Sequence, residues 1–325
     1  MKVHILDDWF DTLRKLPSFA RLKDHDVTVW NDHVEDPAVL AERLAGAEAL
    51  VLFRERTAIT EGLLARLPGL RLISQRSVYP HVDVAACTRN GTLLCSNMHA
   101  DGPSVAAAEL TFALILAAAR QLPEQMASAK AGRWQAGVGQ TLAGRTLGLY
   151  GYGRIARAVA GYARAFGMKV VWWGSDAGRA RAAAAGETVA DSRAAFFAQS
   201  DVISLHVRMK PETRGIIRRE DLLSMKPSAI FVNTSRAGLV EPGAILAALE
   251  AGRPGRIALD VFDTEPLTDP ADPILSHPAV IATPHIGFVT EDELDLQFAD
   301  IYDQINAYAA GQPIHMINPE AWQAP

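Results

Sequence analysis

The sequence predicts an α/β protein made of two doubly wound parallel-sheet domains with a cleft between them. Three observations predict it. Short apolar runs alternate with helical segments along the whole chain. A glycine fingerprint begins only near residue 148, so a complete βα series precedes it. Finally, an amphipathic stretch after residue 290 carries an apolar face that must pack on something, and it is placed back on the first series.

The first series reads as strands at Lys2–Leu6, Val27–Trp30, Ala49–Phe53, Leu70–Ser74 and Thr92–Cys95. Between them lie a helix opened by Asp36 and Pro37 and another over Val82–Asn90, stopped by Gly91. This is a five-stranded unit of flavodoxin-like size. A helix over Pro103–Gln121 follows, then an irregular arm with Trp134 and Gly132, Gly137, Gly139 and Gly144. The second series has strands at Thr146–Tyr150, Val170–Trp173, Thr188–Ala190, Val202–Val207, Ala229–Thr234, Ile257–Val261 and Val280–Ala282. The last helix opens with a capping box, Thr290 to Glu293, and runs to Gly311 with Leu294, Phe298, Ile301, Ile305 and Tyr308 on its apolar face. The expected domains are therefore 1–101 with 287–325, discontinuous, and a Rossmann domain over 102–286.

Bulk properties exclude several classes. With 325 residues, 49% hydrophobic, the chain can bury two ordinary cores. Its 32 basic and 37 acidic residues give a net charge of −5, with no electrostatic footprint for nucleic acid or an anionic membrane. The longest apolar run, Leu110–Ala119, is too short to span a bilayer. The chain opens on a strand followed by Asp7 and Asp8, not on a signal peptide. Cys87 and Cys95 form no metal-like pair and read as small buried hydrophobes, so no metal site is expected and the chain reads as cytoplasmic.

Chemistry enters with Gly151-Tyr152-Gly153-Arg154-Ile155-Ala156, which closes a strand and opens a helix. In that setting the pattern is a dinucleotide fingerprint: Gly151 for the tight turn, Gly153 for close approach to a pyrophosphate, Ala156 for helix–strand packing. The new helix offers unpaired N–H groups and its positive dipole end. Three further motifs stand at strand ends, where open α/β sheets place ligands. They are Asn233-Thr234-Ser235-Arg236, Asp260 through Glu265-Pro266, and Thr283-Pro284-His285-Ile286-Gly287. Arg suits a bidentate grip on a carboxylate, and His moves protons near neutral pH when a carboxylate orients it.

In the order of these motifs the chain resembles the D-isomer-specific 2-hydroxyacid dehydrogenases, over nearly its whole length. The resemblance implies that Arg236 binds the substrate carboxylate and carbonyl, Glu265 pairs with the histidine, His285 is the acid/base, and Asp260 lies near the nicotinamide amide. It implies a cofactor set of Gly151, Tyr152, Gly153, Arg154, Ile155, Ser175, His206, Thr234, Ser235, Asp260 and Gly287 for NAD or NADP. For His206 the alternatives are a cofactor contact or a purely structural role. The Ser104–Glu109 stretch is similar to the family's Val-Ala-Glu helix, and the arm after it to the family's dimer contact, implying a homodimer acting on a small 2-keto or 2-hydroxy acid. His81, His99 and His277 show no partner pattern and read as loop residues; Thr213 reads as structural.

Three departures stand out. The Gln75–His81 loop lacks the family's Gly-x-Gly run, so Arg76, Ser77 and Val78 are the expected substrate contacts and a differently shaped or more anionic acid is implied. Arg208 replaces a proline common after Leu-His-Val. Gly174 and Ser175 stand where a ribose-binding acid should end the second strand, which favours dual or NADP use with Ser175 and Arg179 or Arg181 near a 2′-phosphate; Asp176 is the alternative ribose ligand. Two competing readings are a formate dehydrogenase, which pairs its histidine with Gln rather than Glu, and a nucleotide-sensing corepressor on the same fold.

Overall fold

A computed structural model describes residues 1–98 and 105–323. It divides into one unit of Met1–Gly102 with Thr290–Pro325 and a second of Pro103–Val289. His99, Pro103 and Ser104, which the sequence placed in a loop and at a helix start, lie outside the described residues.

The first unit holds β1 (Lys2–Ile5), β2 (Asp26–Val29), β3 (Ala49–Val51), β4 (Leu72–Arg76) and β5 (Leu93–Asn97). They form one parallel sheet ordered β2-β1-β3-β4-β5, the flavodoxin-like order. β3 is buried at every position, as a strand covered on both faces must be. Asp36 caps the Pro37–Arg43 helix through the N–H groups of Ala38 and Val39. The helix expected over Val82–Asn90 is shorter, Val84–Arg89, because Asp83 caps it by accepting from Ala86 N–H.

The last helix, Glu291–Ala309, packs on this first sheet. Phe298, Ile301 and Ile305 are buried, while Tyr308 is only partly buried and stacks edge-on with Trp322 at 5.0 Å. Polar contacts fix its register: Ser74 Oγ donates to the Ile301 carbonyl at 2.9 Å, and Gln304 Nε2 donates to the Gln75 carbonyl at 3.2 Å. Half of the expected capping box forms. Thr290 Oγ1 accepts from Glu293 N–H, but the Glu293 carboxylate accepts from Gln297 instead of reaching back.

The second unit holds β6 (Thr146–Tyr150), β7 (Lys169–Trp173), β8 (Val202–Leu205), β9 (Ile230–Asn233), β10 (Arg256–Leu259) and β11 (Val280–Ala282). This sheet is also parallel, ordered β11-β10-β9-β8-β6-β7. The strand expected at Thr188–Ala190 is reduced to a parallel bridge of Val189 against Trp172, at the outer side of β7. With that bridge the order is the Rossmann one, extended by a strand, and its switch point lies between β6 and β8.

The long helix is described over Ala106–Arg120. Gln121 then turns left-handed at φ 53°, and a second helix, Leu122–Lys130, follows with Pro123 in its first turn. Part of the expected irregular arm is therefore helical. The remainder is tied down by Gln125, which donates to the Gly137 carbonyl and accepts from Ala136 N–H at 3.0 Å each. Trp134 and Val138 remain 84% and 90% exposed on it. Among the described residues no helix is long and apolar enough to cross a membrane. Cys87 and Cys95 are free and buried, as expected, and burial pushes their thiols up to about 11 and about 12.

Candidate active site

The fingerprint turn leaves β6 at the switch point. Gly151 sits at φ 111°, and its N–H donates to the Trp173 carbonyl at 2.8 Å. A Cβ there would stand 2.4 Å from the His206 carbonyl oxygen, so the neighbouring strand end enforces glycine. Gly153 differs. A Cβ on it would meet nothing closer than that same oxygen at 4.0 Å. Its missing side chain thus leaves open space above the first turn of the Arg154–Ala165 helix, and no side chain caps that turn. Open room and uncapped N–H groups fit a pyrophosphate. Tyr152 packs edge-on against buried Trp172 at 4.8 Å, and Ala156 is fully buried under the turn.

At the end of β7, Gly174 adopts φ 150° and lies against Gly151. Ser175 Oγ caps the next helix by accepting from Gly178 N–H at 3.2 Å. Arg179 donates to the Gly174 carbonyl, pairs with Asp176 and lies 4.3 Å over the Trp173 ring. Asp176, the alternative ribose ligand, thus has a cationic partner beside it.

His206 stands just past β8. Its N–H donates to the Tyr150 carbonyl and its Nε2 lies 2.9 Å from Ser204 Oγ. Burial pushes its imidazole down to about 3, so it stays neutral at physiological pH. At the end of β9, Asn233 organises the arginine motif: its amide donates to the Arg236 carbonyl and its Oδ1 accepts from Ser235 N–H. Ser235 Oγ donates to the Leu205 carbonyl, and Thr234 Oγ1 pairs with Thr111 Oγ1, both at 2.7 Å. Arg236 is held extended and partly exposed, with one guanidinium N–H on the Ser235 carbonyl.

The histidine loop follows β11. His285 itself is left-handed, at φ 54°, a conformation that costs a non-glycine residue about 1–2 kcal/mol. Buried Asp260 offsets the cost. Its Oδ1 accepts from Thr283 Oγ1 at 2.6 Å and Ile286 N–H at 2.9 Å, and its Oδ2 accepts from Gly287 N–H at 2.8 Å. Burial raises the Asp260 carboxyl above the usual range, against the pull of those donors. Both carboxylate oxygens are thus engaged with the loop that presents His285.

Glu265 Oε1 accepts from Phe262 N–H at 2.8 Å, and Oε2 meets His285 Nδ1 at 2.6 Å. Burial pushes this carboxyl up, but the hydrogen bond with His285, its charge, the Phe262 N–H and nearby Arg236 outweigh it and hold Glu265 below its ordinary value. Glu265 and His285 are therefore brought together as the motifs implied, with Arg236 in electrostatic reach of the pair.

Arg76, Ser77 and Val78 belong to the first unit. Arg76 is turned inward, 9% exposed, with Nε 3.5 Å from Asp300 Oδ2. Ser77 is left-handed at φ 78°, so the turn keeps a glycine-like backbone without glycine. Sequence reasoning missed Thr283, Asn233 and Gln75 as organisers of these loops. For Thr283 and Asn233 a signal existed, since each is the hydrogen-bonding residue that opens its motif.

Residues 112–287 match the profile of the D-isomer specific 2-hydroxyacid dehydrogenase NAD binding domain. The chain is 36% identical over 276 residues to a D-3-phosphoglycerate dehydrogenase of Methanocaldococcus jannaschii, covering 84% of this chain and 52% of that protein. It is 32% identical over 317 residues to a glyoxylate reductase of Thermococcus litoralis, covering 92% of each. Among solved structures, a phosphoglycerate oxidoreductase of Vibrio cholerae superposes with a TM-score of 0.90 at 45% identity, over 95% of this chain and 99% of that one. The chain spans about half the length of the curated phosphoglycerate dehydrogenases it matches.

Proposed function

The chain belongs to the D-isomer specific 2-hydroxyacid dehydrogenase family, and from that premise we propose that it interconverts a small 2-keto acid and its D-2-hydroxy acid. The observation that carries the reading is the Glu265–His285 pair at 2.6 Å, on a loop that Asp260 holds in a costly backbone conformation. Gly151, Gly153 and the first turn of the Arg154 helix would hold the pyrophosphate of a nicotinamide dinucleotide, with Ser175, Thr234 and Ser235 along the same sheet edge. When bound, the nicotinamide supplies or accepts the hydride at C2.

The remaining work belongs to side chains. Arg236 grips the acid's carboxylate and steadies negative charge growing on the carbonyl oxygen. Glu265 holds Nδ1 of His285, which leaves Nε2 to give its proton to that oxygen during reduction. In the oxidative direction neutral His285 takes the hydroxyl proton, and the anionic Glu265 stabilises the imidazolium formed.

The test is direct. Purified protein is mixed with NADH or NADPH and a panel of 2-keto acids while the absorbance of the reduced cofactor is followed. Turnover on at least one acid is expected, and none on any acid overturns the reading.

For the cofactor we propose that both NADH and NADPH are used. No carboxylate ends β7 to repel a 2′-phosphate; Ser175 Oγ, which accepts from Gly178 N–H, keeps its hydroxyl proton to donate, and Arg179 would turn to the phosphate from the Gly174 carbonyl and Asp176. Arg179→Ala should raise the NADH over NADPH ratio of kcat/KM by about tenfold, the value of one charge-assisted hydrogen bond. An unchanged ratio removes Arg179 from phosphate recognition. We also propose a homodimer through the arm bearing exposed Trp134 and Val138; light scattering at the mass of one chain would overturn it.

A further inference from the structure

β8 runs on in extended form past its last ladder residue. No turn interrupts residues 206–210, and Lys210 sits at φ −149°, ψ 167°. Successive side chains therefore keep pointing to opposite faces of the sheet. Ile203, Leu205, Val207 and Met209 all pack into one core. Val202 packs into the other, with Ala156, Val159 and Ala160 of the Arg154–Ala165 helix. Ser204 and His206 share that second face, with Ser204 Oγ 2.9 Å from His206 Nε2. The next two positions on it are Arg208 and Lys210, both exposed.

That face is the one from which the fingerprint helix rises. β8 neighbours β6, and the His206 carbonyl oxygen stands 2.4 Å from a Cβ built on Gly151 and 4.0 Å from one built on Gly153. The segment bearing Arg208 thus leaves the sheet beside the open space above the first turn of that helix. Its backbone asks for no arginine. The Arg208 N–H has no acceptor among the described residues, and its carbonyl accepts from Thr213 Oγ1 at 2.8 Å. Thr213 Oγ1 also accepts from Lys210 N–H at 2.8 Å, so one threonine closes the loop that carries both cations. Neither cation has a carboxylate partner among the described residues. Arg179 differs: it stands past β7, on the far side of β6, and is paired with Asp176.

We propose that Arg208, seconded by Lys210, binds the pyrophosphate of the dinucleotide from the β8 side. The planar guanidinium fork matches two phosphate oxygens, and the lysine adds a point charge. This side-chain grip supplements the backbone N–H groups of the fingerprint turn, and a proline in place of Arg208 could not supply it. The proposal rests on the reading of this unit as a nicotinamide dinucleotide site. It divides the labour between two arginines: Arg208 serves the pyrophosphate that both cofactors carry, and Arg179 the 2′-phosphate of one.

Binding is measured without turnover, by titration calorimetry with NADH, NADPH and ADP-ribose, all of which carry the pyrophosphate. Arg208→Gln keeps most of the stem and removes the charge. It should raise Kd for all three ligands by about tenfold, the value of one charge-assisted hydrogen bond. Arg208→Lys and Lys210→Gln should each raise it by a smaller factor. The double Gln variant should also lose NADH affinity less steeply than wild type as salt is added. Tm should match wild type in every variant, because both side chains are exposed. An Arg208→Gln protein that binds NADH and ADP-ribose within about twofold of wild type overturns the proposal. So does a loss confined to NADPH, which would assign the arginine to the 2′-phosphate instead. Wild-type protein that binds none of the three ligands would overturn the dinucleotide reading itself, and the proposal with it.

Discussion

Two loops, one in each unit, solve the same backbone problem with opposite polarity. His285 and Ser77 are both non-glycine residues at positive φ, and each is held by a buried polar side chain at or near a strand end. Under His285 the clamp is Asp260, a carboxylate, which accepts and so draws the N–H groups of Ile286 and Gly287 inward. Under Ser77 the clamp is Gln75, whose amide donates and so draws two carbonyls inward. The acceptor clamp leaves a loop that displays a side chain, the imidazole. The donor clamp leaves the N–H groups of Val78 and Tyr79 without an acceptor among the described residues. The chemistry of the buried residue thus decides which main-chain groups each turn draws inward.

The largest expected effect tests what the first loop displays. His285→Ala removes the proposed proton donor and should lower kcat by about 10²–10⁴-fold, with NADH affinity nearly unchanged. Ser77→Ala, which removes a hydroxyl from a turn held through its main-chain carbonyl by Gln75, should alter kcat less than twofold by the same assay. Comparable losses at the two positions would break the contrast.

Next comes the polarity of the clamp. Asp260→Asn keeps the shape but replaces one of the two acceptor oxygens by an amide donor, which then faces the N–H of either Gly287 or Ile286. It should cost about 2 kcal/mol of stability, seen as a lower Tm, and about tenfold or more in kcat as His285 loses its frame. A variant with wild-type Tm and kcat would show that the loop holds itself.

The two arginines come third. Arg236→Lys should lower kcat/KM for the keto acid by about tenfold or more, because lysine keeps charge but loses the paired planar donors. Arg76→Lys, on a side chain already turned to Asp300, should cost less. Steady-state kinetics on both variants settle it, and equal small losses would place the carboxylate elsewhere.

The smallest effect is a pH dependence. The Glu265 carboxyl is held below its ordinary value, so the stability it contributes is present above the unfolded carboxylate range, about pH 4.3, and is lost as pH falls through the folded value. Glu265→Gln should therefore lose less Tm than wild type on acidification below about pH 4.5. Parallel Tm–pH curves would contradict it. Asp260 has the opposite sign: its raised folded value favours folding at low pH and opposes it as pH rises through that value.

Periodicity made most of the fold legible, because alternating short buried strands and capped helices leave few other arrangements. It failed where tertiary context outweighs local pattern. Thr188–Ala190 has a strand's composition, yet only Val189 finds a pairing partner at the sheet edge. Leu122–Lys130 was hidden by Gln121 and Pro123, which end one helix and start another within three residues. At the site, Arg236, Glu265 and His285 were visible because their side-chain chemistry is the signal. The work of Asp260 and Gln75 on their loops was not visible, since it depends on which way a neighbouring peptide plane faces. The pairing of Arg76 was not visible for a related reason: its charge is plain in the sequence, but its Asp300 partner is more than two hundred residues away.

That same distance bears on how the chain is made. The sheet of β1–β5 emerges from the ribosome early, but the helix that covers it, Glu291–Ala309, is synthesised only after the whole second unit. Until then the face that Phe298, Ile301 and Ile305 will bury stays uncovered, and Ser74 and Gln75 lack their contacts with that helix. The unit whose sheet is translated ahead of the second is accordingly completed after it, and in the interval it carries exposed apolar surface of the kind that invites aggregation.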